Sequence, residues 1–291
     1  MVAIKPVKGS DEWLVAINFI LGHDKDNIIK VRHLHDINDY PEDSPLGMLH
    51  LRSDNGVEEW FTVSGTFAKE ELMPFIIRKL EKKAYISFHG YTLPFYRFRN
   101  SSWYHPDEVQ KMAEIVFEAL NGSKCTFETM EMAYYGPFCD TFVSTQIENG
   151  LLESLNLYGP WPNGAISFIK KYVERYDKPR INLHEENCVE VSRELFEMLF
   201  KKFLNRKLYL KDMYGTLNFE AVYLRTWRTD LHVTNEIYED EKLNYLMWKS
   251  PVDCRDFFVV LFETNDKVQI YTKNTGLCLC RKKHKLFNFE T

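Results

Sequence analysis

The chain has 291 residues, 37 Lys and Arg against 42 Asp and Glu, a formal net charge of −5, and 45% hydrophobic and 27% charged residues. These values describe a folded globular protein of one large or two small domains and exclude a disordered one. The mildly acidic balance supplies no general attraction for nucleic acid or anionic lipid, and the one unusual figure is an aromatic content of 15%, with 21 Phe and 16 Tyr against 13 Gly.

Met1 to Lys8 carries charges at Lys5 and Lys8 with no apolar run behind them. No segment approaches the roughly 20 apolar residues that span a bilayer, so a cytoplasmic protein without membrane contact is expected. Six cysteines, Cys125, Cys139, Cys188, Cys254, Cys278 and Cys280, are sparse and irregular, which suits buried thiols rather than a disulfide framework. Asn100 and Asn121 match a glycosylation sequon by chance in such a protein.

From Ser10 to Leu34, Trp13, Leu14, Ile17, Ile20 and Leu21 fall on one helical stripe, Asp24 to Asp26 interrupts it, and Ile28, Ile29, Val31 and Leu34 resume it. This spacing predicts a helical hairpin within a separate segment, residues 1–45. Asp54-Asn55-Gly56 between Leu49–Arg52 and Trp60–Val63 predicts a β-hairpin opening the region 46–291. A strand follows at Tyr85 to Phe88, then a helix over Glu108 to Leu120, with Val109, Met112, Ala113, Val116, Phe117 and Leu120 on its stripe and Gly122 past its end.

An internal repeat lies in the middle. Met132 to Phe138 and Leu155 to Trp161 each run from apolar residues into Tyr-Gly-Pro-aromatic, a turn signal that ends a strand. Short strands recur at Ile181–Leu183, Leu208–Leu210 and Leu231–Val233, at spacings of roughly 23 to 27 residues, within the leucine-rich-repeat range. Helical stripes lie between them: Ala165 to Tyr176, Val191 to Phe203 with a capping box from Asn187 to Glu190, and a weaker one over Phe219 to Trp227. Phe257–Glu263 and Val268–Thr272 around Asn265-Asp266 read as a closing hairpin. Units too small to bury their own apolar faces must stack. The expected fold is therefore α/β: an irregular leucine-rich-repeat-like solenoid with a parallel sheet, an N-terminal helical hairpin and closing β-hairpins. The aromatic excess then fills the core between uneven repeats, leaving Tyr209, Phe138 and Trp161 for other contacts.

Catalytic signatures are mostly missing: no Gly-rich phosphate loop, no Gly-x-Ser-x-Gly elbow, no His-Glu-x-x-His and no Cys-x-x-Cys. His33, His35 and Asp36 lack further ligands at a recognisable spacing, and Cys278 and Cys280 of a zinc set with Cys254 and His284 would point to opposite sides of a strand. No metal and no cofactor is expected. The basic run Arg281 to Lys285 reads as a solvated tail, with nuclear targeting as its alternative, and the acidic cluster Glu236 to Glu241 offers no distinct acid/base pair.

The order of an Asn-Gly hairpin, a Tyr-Gly-Pro-aromatic strand end, a helix ending near Gln146-Ile147, the run Leu152 to Pro162 and a late Trp248-Lys-Ser-Pro251 resembles the nematode-expanded group of F-box-type, leucine-rich-repeat-like proteins over most of Leu49 to Thr272. The resemblance implies a substrate-recognition subunit of a Skp–cullin–F-box ubiquitin ligase, with the repeats holding a protein substrate. Trp13, Leu14, Ile17, Ile20 and Leu21 would then correspond to the first helix of a degenerate F-box docking on a Skp-type adaptor, and Ile28 and Val31 to the start of its second, although Ser10-Asp11-Glu12 replaces the usual Leu-Pro opening. The alternatives are a stand-alone repeat binding protein and, third, an enzyme with a site assembled from scattered residues. Binding should use the concave sheet face, where alternation places Asn156, Asn182, Tyr209 and His232 between apolar strand positions.

Overall fold

The computed structural model describes residues 1–7, 9–23, 29–34, 36–52, 60–89, 106–123, 125–184, 189–228, 231–233, 243–250, 255–262 and 267–274. The chain forms two compact units, Met1–Leu152 and Glu153–Thr291, each α/β.

The first unit contains β1 (Val2–Pro6), β2 (Glu12–His23), β3 (Ile29–Leu34), β4 (Leu46–Arg52), β5 (Phe61–Ser64), α1 (Gly65–Phe67), α2 (Met73–Lys79), β6 (Leu80–His89), α3 (Pro106–Gly122), β7 (Phe127–Ala133) and α4 (Pro137–Asn149). Its strand order is β3-β2-β1-β4-β6-β7, parallel from β1 through β4 and β6 to β7 and antiparallel at β2 and β3. The edge of β2 that meets β3 at Ile17 to His23 also pairs β5 at Glu12 to Val15. A π-helical turn, Ala68–Leu72, joins α1 to α2, and Ser64 starts the run by accepting the Phe67 N–H on its hydroxyl.

Two expectations for this region are corrected. The helical hairpin over residues 10–34 is instead the antiparallel pair β2 and β3, and residues 1–45 lie within the first unit. The same residues also alternate: Trp13, Val15 and Ile17 are buried, and Ala16 is buried between them, so β2 is covered on both sides there. A strand buried on both faces reads as a continuous apolar run, which holds a helical stripe by coincidence. The hairpin joining Leu49–Arg52 to Trp60–Val63 does not form either. Both edges of β4 are taken, by β1 and β6, and β5 pairs with β2; Asn55 and Gly56 lie outside the described residues.

The second unit contains β8 (Ser154–Tyr158), α5 (Ile166–Arg175), β9 (Arg180–Leu183), β10 (Glu190–Val191), α6 (Arg193–Leu204), β11 (Tyr209–Leu217), α7 (Val222–Thr226), β12 (His232–Val233), β13 (Leu243–Lys249), β14 (Arg255–Phe262) and β15 (Lys267–Asn274). Parallel strands β8, β9 and β11 continue into the antiparallel series β15, β14, β13 and β12, and β10 adds beside the end of β11. The expected C-terminal hairpin is β14 and β15. The sheet is therefore mixed, because β15 occupies the edge of β11 that a further parallel repeat would need.

The helical stripes over 108–120, 165–176 and 191–203 match α3, α5 and α6, although α6 is capped by Ser192, whose hydroxyl accepts the Leu195 N–H at 3.3 Å. Their apolar residues cover one side of each sheet. In the first unit Phe88 meets Phe117 at 5.3 Å between centroids, and Phe127 meets Phe142 at 6.0 Å. In the second, Phe196 of α6 touches Phe257 of β14 at 5.7 Å, Trp248 of β13 at 6.0 Å and Trp227 at 5.0 Å, while Phe200 meets Phe257 at 5.3 Å. Trp248 donates its indole N–H to the Trp227 carbonyl at 3.1 Å, so the largest ring in this cluster is buried without an orphaned donor.

Trp161, expected to be available for other contacts, is fully buried against Phe168, and Phe138 lies 5.8 Å from Phe117. Trp161 fills the core because its Tyr-Gly-Pro turn folds back over the strand end, whereas Phe138 stays half-buried; Gly136 and Gly159 take φ of 139° and 74° at the two turns.

Phe196→Ala should lower the unfolding free energy by about 3–5 kcal/mol in a denaturant titration, whereas Tyr209→Ala, on an exposed side chain, should stay within about 0.5 kcal/mol. Gly215 of β11 faces β10 so closely that a Cβ would lie 2.4 Å from the Val189 carbonyl oxygen. Gly215→Ala should therefore cost on the order of 1–3 kcal/mol, read as a fall in melting temperature.

Candidate functional site

Alternation fixes which strand residues the helices leave uncovered in the second unit. Leu155 and Leu157 of β8, Ile181 and Leu183 of β9, Met213 of β11, Val268 and Ile270 of β15 and Phe257 and Val259 of β14 are buried on the helix side. Their neighbours form rows on the opposite face, which is helix-free among the described residues and on which Asp256 and Val260 of β14 are buried as well.

One row follows the strand register from Asn156 to Asn182 to Asp212, and from Tyr271 to Phe258 to Met247. A second holds Tyr158, His184, Tyr214 and Gln269. A third, at the start of the parallel strands, holds Ser154, Arg180 and Tyr209. The rows are tied together laterally. Tyr158 and His184 stack at 4.0 Å, Phe258 and Tyr271 stack at 4.8 Å with planes 7° apart, and Gln269 donates its amide N–H to Asp212 Oδ1 at 2.6 Å. Asn182 Nδ2 lies 3.0 Å from His184 Nε2, a hydrogen bond at the end of β9. Rings stacked at the interstrand spacing stand on edge, so this face presents ring edges, hydroxyls and amides.

Three of the four residues expected to line the binding face therefore share it: Asn156, Asn182 and Tyr209. Tyr209 is 58% exposed, whereas Asn182, enclosed between two strands, is only 5% exposed. His232 is not in the parallel row; it belongs to β12, whose backbone register pairs it with Trp248. Sequence alternation alone missed Tyr158, His184, Tyr214, Tyr271 and Phe258. Their signal was present in the neighbouring positions of the same strands, but the antiparallel insertion of β15 beside β11 was not legible.

The residues expected to dock on an adaptor occupy strands. Trp13 and Ile17 are buried in β2, Leu14 is half-buried on the opposite side, Ile20 and Leu21 lie further along β2, and Val31 lies in β3; Ile28 is outside the described residues.

Other chemically capable groups are held quiet. Cys139 is fully buried at the start of α4, its thiol donates toward the Ala133 carbonyl at 3.7 Å, and burial pushes it up to about 12, so no thiolate forms near neutrality. Asp140, in the next position, keeps one carboxylate oxygen buried without a hydrogen-bond partner among the described residues, and burial raises its carboxyl above the ordinary value despite a Tyr134 hydrogen bond. In the first unit a cleft of about 720 Å³ lies between the Gly9–Glu12 turn, the start of α1 and the middle of α3, and its lining mixes Lys69 and Lys111 with Asp11, Glu12 and Glu114. Among the described residues no group of three or more His, Cys, Asp or Glu is placed to hold a metal ion, and no helix is long and apolar enough to cross a membrane. His35, Cys254, Cys278, Cys280, His284 and Glu236 to Glu241 lie outside the described residues.

Compared with known proteins, the chain matches no family model, no curated protein and no solved structure.

The raised carboxyl of Asp140 has a direction in pH. The folded state holds this proton more tightly than the unfolded state, so its contribution to stability falls as pH rises from the unfolded to the folded value. Asp140→Asn should therefore stabilise the protein at pH 7 relative to the unsubstituted chain, and the gain should shrink when both are melted below the ordinary carboxylate range.

Proposed function

We propose that the chain is a non-catalytic protein-binding module that takes its partner on the helix-free face of the second unit's sheet. The observation behind this reading is the array of Asn156, Tyr158, Asn182, His184, Tyr214, Tyr271 and Phe258 on one face, with Tyr158 stacked on His184, Asn182 hydrogen-bonded to His184 and Phe258 stacked on Tyr271. Rigid aromatic side chains with polar tips lose little freedom on binding and are enriched in protein interfaces.

A polypeptide fits this face better than a nucleic acid strand does. Bases stack on the flat faces of rings, whereas here Tyr158 and His184, and Phe258 and Tyr271, already turn their faces to each other. The thiol of Cys139, protonated and buried, argues against its use as a nucleophile.

The successive strand and helix units, β6, α3, β7 and α4 in the first unit and β8, α5, β9, α6 and β11 in the second, are read as an irregular leucine-rich-repeat-like solenoid, consistent with their parallel pairing within each unit. The ligase-subunit role implied by the resemblance requires an adaptor-docking helix in residues 13–31, where β2 and β3 supply strands. The geometry therefore favours a stand-alone binding protein.

The test is affinity capture with the full chain and with Asn156→Ala/Tyr209→Ala/Tyr271→Ala, both checked for an unchanged melt. Partners identified with the unsubstituted chain should fall at least about tenfold with the triple variant, the loss expected when interface anchors are truncated. Equal recovery by both chains would remove the face from the proposal, and a Skp-type adaptor among the partners would restore the ligase role.

A further inference from the structure

The second unit has a basic edge where α5 and α6 end and β9 and β11 begin. Over residues 171–180 and 201–212 there are nine basic side chains, Lys171, Arg175, Lys178, Arg180, Lys201, Lys202, Arg206, Lys207 and Lys211, against three acidic ones, Glu174, Asp177 and Asp212, in a chain whose formal net charge is −5. The fold brings the two stretches together. Tyr209 pairs with Arg180 across β11 and β9, the Tyr209 N–H reaches the Pro179 carbonyl at 3.1 Å, Lys202 donates to the Tyr176 carbonyl at 2.5 Å, and Lys207 pairs with Asp177 at 2.5 Å.

Helix ends explain only part of this charge. Arg175, Lys201 and Lys202 lie in the last turns of α5 and α6, where cations offset the helix dipole, and Lys207 is used by Asp177. Lys178, Arg180 and Lys211 are exposed and lie in the loop before β9 or in the strands themselves, where neither helix dipole acts. Arg180 is also the row neighbour of Ser154 and Tyr209, so the basic edge runs directly into the helix-free face, and Tyr209 stands exposed between Lys207 and Lys211. Of the acids in these stretches, Asp177 is taken by Lys207 and Asp212 accepts from Gln269.

We infer that the partner enters this face as an acidic polypeptide segment whose carboxylates lie along Lys178, Arg180 and Lys211 while its backbone and apolar side chains cross the Asn156–Asn182 row. The inference rests on the binding face proposed above and names the chemistry of what it holds. Charge complementarity carries it: a localised positive border on a net-negative chain repels basic partners there and steers acidic ones toward the face.

The probe is a fluorescein-labelled peptide of repeated Glu, Ser and Leu, compared with its Gln-for-Glu and Lys-for-Glu counterparts and with a mixed-sequence single-stranded DNA, by anisotropy with the full chain. The acidic peptide should bind at least about tenfold more tightly than the neutral one, and the difference should fade as salt rises from about 0.05 to about 0.5 M. Lys178→Gln/Arg180→Gln/Lys211→Gln, with its melt unchanged, should abolish the preference, whereas Lys69→Gln/Lys111→Gln in the first unit should retain it. Should the triple variant lose its fold, the single variants Lys178→Gln and Lys211→Gln, both on exposed side chains, should each weaken the acidic peptide.

Equal binding of acidic and neutral peptides, lost in Asn156→Ala/Tyr271→Ala, would overturn the acidic chemistry and leave the face standing. Binding of the acidic peptide that neither set of substitutions weakens would overturn both. Tighter binding of the DNA than of the acidic peptide would overturn the choice of a polypeptide.

Discussion

The arrangement of the second unit depends on one packed set of rings. Phe196 and Phe200 project from one helix onto Phe257 and Trp248 of the closing antiparallel strands, with Trp227 wedged against all but Phe257. Without those contacts β13, β14 and β15 would be a meander held to the parallel strands by the backbone ladder of β11 and β15 and by hydrogen bonds from Gln269 to Asp212, from Thr272 to Leu210 and from Arg255 to Leu208. Burial of several large aromatic side chains, each worth about 1.5–3 kcal/mol, fixes which side of the meander is inside, and the period of two then decides which residues are left outside. Tyr271 and Phe258 reach the same face as Asn156 and Asn182 for that reason. The proposed binding face is thus a consequence of the core behind it.

That dependence explains which parts of the architecture were legible in the amino-acid sequence. The helices bearing Val109 to Leu120 and Leu195 to Phe203 bury a single stripe against one sheet face, so their periodicity survives in the residues. The strand from Glu12 to His23 has no such asymmetry. It pairs with β1 on one edge and with β5 and β3 on the other, and Val15, Ala16 and Ile17 are all buried, so any apolar order satisfies it. A stripe of Trp13, Leu14, Ile17, Ile20 and Leu21 is then equally compatible with a helix, and only the long-range pairing decides. The Asn-Gly turn misled for a related reason: a turn dipeptide shows that the chain reverses, while the pairing partner is set by which edges are still vacant.

The candidate face was half legible. Polar residues between buried leucines identified Asn156 and Asn182, because both sit on strands whose alternation is clean. His232 obeys the same local rule, yet it lies on a two-residue strand paired with Trp248, beyond the antiparallel series. Local alternation assigns a side to each residue of a strand, but it cannot assign the order of strands. The ring stacks are invisible for the same reason: Tyr158 and His184 are 26 positions apart, and Phe258 and Tyr271 belong to a hairpin whose docking beside β11 has no local signature.

The aromatic excess takes on two distinct meanings in this light. Rings such as Phe117, Phe142, Phe196 and Phe257 are enclosed in the core, where their area holds helices to strands. Tyr158, Tyr214, Tyr271 and Phe258 are half-buried on the other face, in rows with the polar side chains of Asn156, Asp212 and Gln269. Cross-strand aromatic pairs add about 0.2–1 kcal/mol each to the sheet, so part of their presence is structural. That term does not require hydroxyls, however, and three of these four residues are tyrosines. A phenol at a sheet surface retains a donor and an acceptor beyond its ring, which a phenylalanine of equal stacking area lacks. Tyr at three of these four positions, set against Phe117, Phe142, Phe196 and Phe257 in the core, is the sequence preference on which the proposed contact role rests.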